Sequence, residues 1–195
     1  MKYKKRSIGS ILRSPKTVFT FNDICLIWRE IDKKLIIASV NYYVKTGQLV
    51  RIRRGVYAKD KNYDRMELST RIYTPSYVSF ETVLTHEGLN FQYYSQIFLA
   101  SYLTREITIN GQKYSFRKIK SLILVNPMGV ETTEGISMAT KERAFLDTIY
   151  INGNYHFDHI DSLNWEKIFE ILPIYENIRM NKNVNDWYNE YRKDK

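Results

Sequence analysis

Apolar residues recur at helical spacing through the first forty-odd positions and then change to a shorter period. Between about Asp32 and Thr46, the residues Ile36, Val40, Tyr43 and Val44 fall on one stripe and predict a core-facing helix side. The opposite stripe is Lys34, Ala38, Asn41, Tyr42 and Lys45. Gly47 predicts the stop of that helix. The stretch from Gly47 to Ala58 then sets Leu49, Ile52 and Val56 among Arg51, Arg53 and Arg54, and Arg54-Gly55 can reverse the chain. That pattern predicts a short two-stranded ribbon tipped with guanidinium groups. Upstream, Ser7–Leu12 predicts one or two helical turns ended by Pro15. Thr20 or Asn22 can cap a second helix through Trp28, with Ile24, Cys25, Ile27 and Trp28 on its apolar side. Helices followed by a basic ribbon are the arrangement of a winged helix-turn-helix, expected over residues 1–60.

The polar stretch 60–64 reads as a linker to a second domain, 61–195. Ser79 is placed to cap a helix with Phe80, Val83 and Leu84 inward and Gly88 at its end. Asn110-Gly111 supplies the two positive-φ residues of a type I′ turn, with Ile107 and Ile109 alternating before it and Tyr114 and Phe116 after it. Further strands are expected over 97–103 and 122–125, and a shorter pair over 128–131 and 136–139. Thr140 predicts another N-cap, with Glu142 in the first turn, where the helix dipole favours an anion. Ala144, Phe145, Ile149 and Tyr150 form that helix's stripe, with Leu146 at its margin and Asn152-Gly-Asn154 at its end. Asn164 predicts the cap of a helix over 165–172, and a polar helix is expected over 186–195. The fold class is therefore α+β: a winged helix-turn-helix followed by a mixed α/β domain with antiparallel hairpins.

Charge changes this picture. Residues 1–60 hold 14 basic and 4 acidic side chains, whereas 61–195 hold 16 and 17, so the whole net charge of +9 arises in the first third. Such a concentration suits a polyanion, because lysines and arginines that neutralise phosphates release condensed counterions. On the predicted third helix, Ala38 permits close approach, Asn41 can pair with adenine, Tyr42 adds an aromatic face, and Lys33, Lys34 and Lys45 can meet phosphates. Arg51, Arg53 and Arg54 are the ribbon's contacts, with Arg53 and Arg54 at its tip for phosphate or the minor groove. Lys2, Lys4, Lys5 and Arg6 form either a DNA-binding arm or a merely solubilising tail. Basic charge alone does not separate DNA from RNA.

Other chemistry is sparse. There is no phosphate-cradling glycine loop and no Gly-x-Ser-x-Gly elbow. His86 reads as a packing or surface residue, and Cys25 as a small apolar side chain. His156 and His159, with Asp158 and Asp161, have His-x-x-His spacing but lack further ligands, and a polar loop explains them. Glu142 and Asp147 are five residues apart and point in different directions on a helix. No enzymatic activity, metal or cofactor is expected. A single cysteine excludes an intramolecular disulfide, no apolar run could span a bilayer, and no secretory segment follows the basic start, so the expected compartment is the cytoplasm.

Three blocks together resemble the AbiEi antitoxin family of type IV toxin–antitoxin systems, which are linked to phage abortive infection. They are the Gly47–Ala58 ribbon, Pro75–Leu89 and Met138–Asp147, the last reading Met-Ala-Thr-Lys-Glu-Arg-Ala-Phe-Leu-Asp. The resemblance spans about residues 7–150; Lys141 stands where the family often has proline, and the tail after Tyr150 matches nothing in it. It implies an N-terminal winged helix that binds inverted repeats in its own promoter as a repressor, with two copies on the DNA. It implies a C-terminal domain that counters a nucleotidyltransferase-like toxin without a stable complex, and no membrane partner. A stand-alone winged-helix regulator, with a ligand-sensing or dimerising second domain, is the alternative. A nuclease or RNA-modifying second domain is a third reading.

Overall fold

The computed structural model describes residues 7–193, so the basic residues Lys2, Lys4, Lys5 and Arg6 lie outside the described residues. The chain is mixed α+β and forms two compact units, divided between Ile72 and Tyr73. The first unit runs α1 (Ile8–Leu12), β1 (Val18–Thr20), α2 (Phe21–Trp28), α3 (Lys33–Lys45), β2 (Val50–Arg53), β3 (Val56–Ala58) and α4 (Arg65–Ile72). Its sheet has the order β1-β3-β2 with antiparallel pairs throughout. Ile11, Phe19, Ile24, Trp28, Ile36, Val40, Leu49 and Tyr57 form the core.

Local chemistry sets these helices. Thr20, not Asn22, caps α2: its hydroxyl accepts from Asp23 N–H, and the Asp23 carboxylate accepts from Thr20 N–H at 2.8 Å. That reciprocal box satisfies two donors that a helix start leaves open. Arg29 closes α2 in the left-handed region. The segment 60–64 is a folded turn, where Asp60 and Asp64 accept backbone N–H bonds from Asn62 and from Met66 and Glu67. Helix α4, which the hydrophobic pattern did not announce, belongs to the first unit. Its Glu67 carboxylate accepts from Thr17 N–H and Oγ–H at 2.8 Å and from Val18 N–H at 3.2 Å, tying α4 to the start of β1.

The second unit contains β4 (Ser76–Val78), α5 (Glu81–His86), β5 (Ile97–Ser101), β6 (Arg105–Ile109), β7 (Gln112–Lys118), α6 (Ser121–Leu124), β8 (Val130–Thr133), β9 (Ile136–Ala139), α7 (Lys141–Ile151), α8 (Trp165–Ile171), a 3-10 turn (Leu172–Tyr175) and α9 (Ile178–Lys193). Its sheet order is β6-β7-β5-β4-β9-β8, with β5/β7 and β4/β9 parallel and the other pairs antiparallel. Asn110 (φ 48°) and Gly111 (φ 79°) make the expected hairpin turn, and Glu134 and Gly135 repeat it between β8 and β9.

Three expectations are corrected. Residues 122–125 are not a strand: α6 covers Ser121–Leu124, with Ile123 and Leu124 buried while Leu122 and Val125 face outward. A run of four apolar residues does not by itself distinguish strand from helix. Ser79 does not cap α5; Phe80 occupies that position without a side-chain bond, and Ser79 Oγ–H instead donates to Asp147 at 2.8 Å. The last helix begins at Ile178, because Met180, Val184, Trp187, Tyr188 and Tyr191 recur at helical spacing and Trp187, Tyr188 and Tyr191 pack on Phe157 and Trp165.

Helix α7 is the centre of this unit: every residue from Glu142 to Ile149, including marginal Leu146, is buried. Arg143 and Asp147, one turn apart, are both fully buried with Nε and Oδ1 3.2 Å apart. Arg143 also donates to Met128 O and Ile123 O, both at 2.7 Å, and to Tyr77 Oη at 2.9 Å. Asp147 accepts from Tyr77, Ser79 and Tyr175 hydroxyls at 2.7–2.9 Å. Burial pushes the Asp147 carboxyl up from the usual aspartate range, and Arg143 and the three hydroxyl donors hold it back. The tail after Tyr150 therefore has a structural role: Tyr175 closes the network.

Asp147→Ala leaves Arg143 buried without its counter-ion and is expected to cost about 3–5 kcal/mol in urea unfolding. Arg143→Met with Asp147→Leu is expected to cost clearly less than the sum of the two single changes; simple additivity would contradict the coupling. Burial, with the neighbouring Asp147 charge, pushes the Tyr77 and Tyr175 hydroxyls well above the ordinary tyrosine value. The unfolded chain loses those protons first as pH rises, so their contribution is complete below about pH 10 and falls above it. The stability difference between wild type and Tyr175→Phe is expected to hold constant up to about pH 10 and to shrink as pH rises above it.

Candidate nucleic-acid interface

Helix α3 is fixed at both ends by its sequence. Asp32 caps it, with Oδ1 accepting from Lys34 N–H at 2.9 Å. At the other end Gly47 takes φ 72°, Gly47 N–H donates to Val44 O, and Gln48 N–H donates to Tyr43 O at 2.8 Å. That is a Schellman ending, and it drops Leu49 into the core directly before β2. The distance from helix to ribbon is thus set by one left-handed residue.

The two faces of α3 separate as the periodicity predicts. Ile36 and Val40 are buried, and Tyr43 and Val44 are half-buried. Lys33, Lys34, Ala38, Asn41, Tyr42 and Lys45 are exposed. Ile37 is exposed as well, at 49% of its area, on the face that carries Asn41. Lys33 and Lys34 open the helix, and no acidic residue lies in its first turn. Cations at the positive end of a helix dipole cost about 0.3–1 kcal/mol each. The Asp32 carboxylate at the N-cap offsets part of that cost.

The ribbon lies beside this face. Arg51 pairs with Tyr57 across β2 and β3, and its guanidinium sits over the Tyr57 ring at 5.7 Å. Arg51 Nη2 also donates to Asn41 Oδ1 at 2.5 Å, joining helix to strand. The pairing shifts between Arg51 and Arg53, a bulge that turns the ribbon before its tip. Arg54 and Gly55 (φ 79°) form the tip, and Gly55 O accepts from Phe21 N–H at 2.8 Å, which anchors it to the start of α2. A groove of about 560 Å³ runs between helix and ribbon, lined by Phe21, Ile37, Asn41, Arg51, Arg54, Gly55 and Tyr57.

Of the residues expected from sequence, the groove brings together Asn41, Arg51 and Arg54. Lys33 and Lys34 lie at the N-terminal end of α3 and Lys45 at its C-terminal end, and Tyr42 is edge-on to Tyr43. Arg53 is half-buried as the last residue of β2 and sits below the tip. Sequence reading missed Ile37 and Phe21 in the groove and Tyr57 beneath Arg51. The four-residue spacing of Ile37 and Asn41 was a signal for the first.

The remaining candidates stay apart. His86 is exposed with Nδ1 3.0 Å from Glu87, and His159 and Asp161 are an exposed pair 3.6 Å apart. His156 lies against Trp187. Among the described residues no three His, Cys, Asp or Glu side chains converge as a metal site. Glu142 accepts from Asn164 N–H, away from the Asp147 network. Cys25 is half-buried, and its surroundings push the thiol up, chiefly by desolvation. A separate cavity of about 460 Å³ in the second unit is lined by Glu87, Glu131, Glu134 and Glu142 together with Lys141 and Lys167.

No protein family and no curated protein matches the chain. Among the described residues no helix is long and apolar enough to cross a membrane.

A Cβ at Gly47 would meet nothing within 4 Å, so Gly47→Ala tests backbone conformation alone. It is expected to lower first-unit stability by about 1–2 kcal/mol, and Gly47→Asn by less. Hydrogen exchange of the α3 amides reads this directly; unchanged protection in the alanine variant would contradict it.

Proposed function

We propose that the first unit is a winged helix-turn-helix binding double-stranded DNA, with α3 in the major groove and the β2–β3 turn as its wing. The observation that carries the reading is the groove in which Asn41 of α3 meets Arg51 and Arg54 of the ribbon. An amide that can read a base, flanked by guanidinium groups and by lysines at both helix ends, has the composition of a duplex-binding surface. The concentration of net positive charge in residues 1–60 supports it further.

On this reading the chain is the antitoxin of an AbiE-like type IV system. It represses its own operon at promoter inverted repeats, with two copies on the DNA, and acts in the cytoplasm. The second unit counters a nucleotidyltransferase-like toxin without a stable complex, and neither unit is an enzyme or needs a cofactor. The basis is the resemblance of the three blocks. The third of them, Met138–Asp147, contains both members of the Arg143–Asp147 pair at the centre of the second unit. A second reading, a stand-alone regulator whose second unit senses a ligand, is favoured by the 460 Å³ cavity.

Binding to the DNA upstream of its own gene tests the first claim. Arg53→Ala with Arg54→Ala is expected to weaken binding and to lower the salt slope by about one per lost phosphate contact. Wild-type affinity in that variant at moderate salt would exclude the ribbon as a contact. Co-expression with the adjacent gene separates the two readings: growth rescue supports the antitoxin, and a harmless neighbour supports the stand-alone regulator.

A further inference from the structure

The contact between Arg51 and Asn41 assigns different duties to two residues that composition treats alike. A guanidinium has only donors, so it takes the carboxamide oxygen of Asn41 and turns Nδ2 the other way. Arg51 is held in turn by the Tyr57 ring beneath it, and Tyr57 is buried. The amide of an exposed asparagine otherwise rotates freely; here its orientation is set. The second lone pair of Oδ1 and both Nδ2 protons remain for a partner outside the protein. One accepting and one donating atom side by side match N6–H and N7 of adenine in the major groove. Ile37 lies one helical turn before Asn41, is half exposed, and lines the same groove. A branched apolar side chain has no hydrogen bond to offer there, and its major-groove complement is the C5-methyl group of thymine.

We propose that Asn41 and Ile37 read an adenine and a neighbouring thymine as one element, and that Arg51 is the positioning residue that presents the Asn41 amide. This rests on the DNA-binding reading above. Arg54, at the tip, remains the backbone contact, whereas Arg51 contributes to sequence preference through another side chain.

The test is selection from a random-sequence DNA duplex pool by full-length wild type, Asn41→Ala, Ile37→Ala, Arg51→Lys and Arg51→Met, all at solvent-exposed positions. Wild type is expected to enrich a motif containing an adenine with an adjacent thymine. Placing 7-deazaadenine at that adenine is expected to weaken wild-type binding about 10-fold. Uracil for the thymine is expected to weaken wild type several-fold and to leave Ile37→Ala unaffected. Arg51→Lys, which keeps the charge, and Arg51→Met are both expected to lose the adenine preference as Asn41→Ala does, without loss of the rest of the motif. An Arg51→Lys variant that keeps the preference, or an Arg51→Met variant whose main change is a lower salt slope, would make Arg51 a phosphate contact and overturn the proposal. Binding without any enriched motif overturns base reading but leaves DNA binding intact. No binding to any duplex overturns the DNA reading itself. The DNA-free protein supplies an independent check: the Asn41 side-chain amide is expected to be ordered by NMR relaxation in wild type and mobile in Arg51→Met, and equal mobility in both would exclude positioning.

Discussion

A guanidinium and a carboxylate removed from water must be compensated by the protein itself, and in the second unit that requirement falls on Arg143 and Asp147. The compensation comes from five groups on four segments. The carbonyls of Ile123 and Met128 arrive from α6 and the loop before β8, Tyr77 and Ser79 from the β4–α5 junction, and Tyr175 from the 3-10 turn after α8. Each donor or acceptor fixes the position of its own segment. A buried pair of this kind contributes little net stability against a well-packed apolar core, yet losing one member leaves the other stranded. Its effect is to require that strand, helix and tail segments arrive together around α7.

The first unit is held by other means. Its core is apolar, and its helix ends are set by short-range caps: Thr20 with Asp23, Asp32 with Lys34, and the Gly47 turn. Longer-range bonds complete the unit: Glu67 ties α4 to Thr17 and Val18, Gly55 O ties the ribbon tip to Phe21 N–H, and Arg51 ties the ribbon to Asn41 of α3. The surface so formed carries features that folding does not need. Two lysines stand at the positive end of α3, Ile37 is left half exposed, and Arg51 is ordered by Tyr57 and Asn41. A stability-driven design would remove the first two.

What could be read from the sequence follows the range of the interaction. The caps at Thr140 and Asn164, the Asn110-Gly111 turn, the end of α3 and its buried and exposed stripes are written in residues within four or five positions of one another. Helix α4 opens on a local cap, Asp64 accepting from Met66 and Glu67 N–H, but its attachment through Glu67 to a strand about fifty residues away is non-local. Ser79 has the local character of an N-cap, but the demand of Asp147, 68 positions on, takes its hydroxyl. The parallel pairs β4/β9 and β5/β7, and Arg143 as the centre of a network, are likewise non-local. At the candidate interface the periodicity supplied Asn41, Arg51 and Arg54, but not the bond that makes one of them serve another.

The central claim is that nucleic acid meets this chain on α3 and the β2–β3 ribbon. A chemical-shift map of the isotope-labelled full chain, titrated with the duplex upstream of its gene, addresses it most directly. The largest changes are expected to cluster at 33–45 and 50–58, with the Asn41 side-chain amide among them. Changes confined to the second unit, or spread evenly over lysines and arginines of both units, would contradict it.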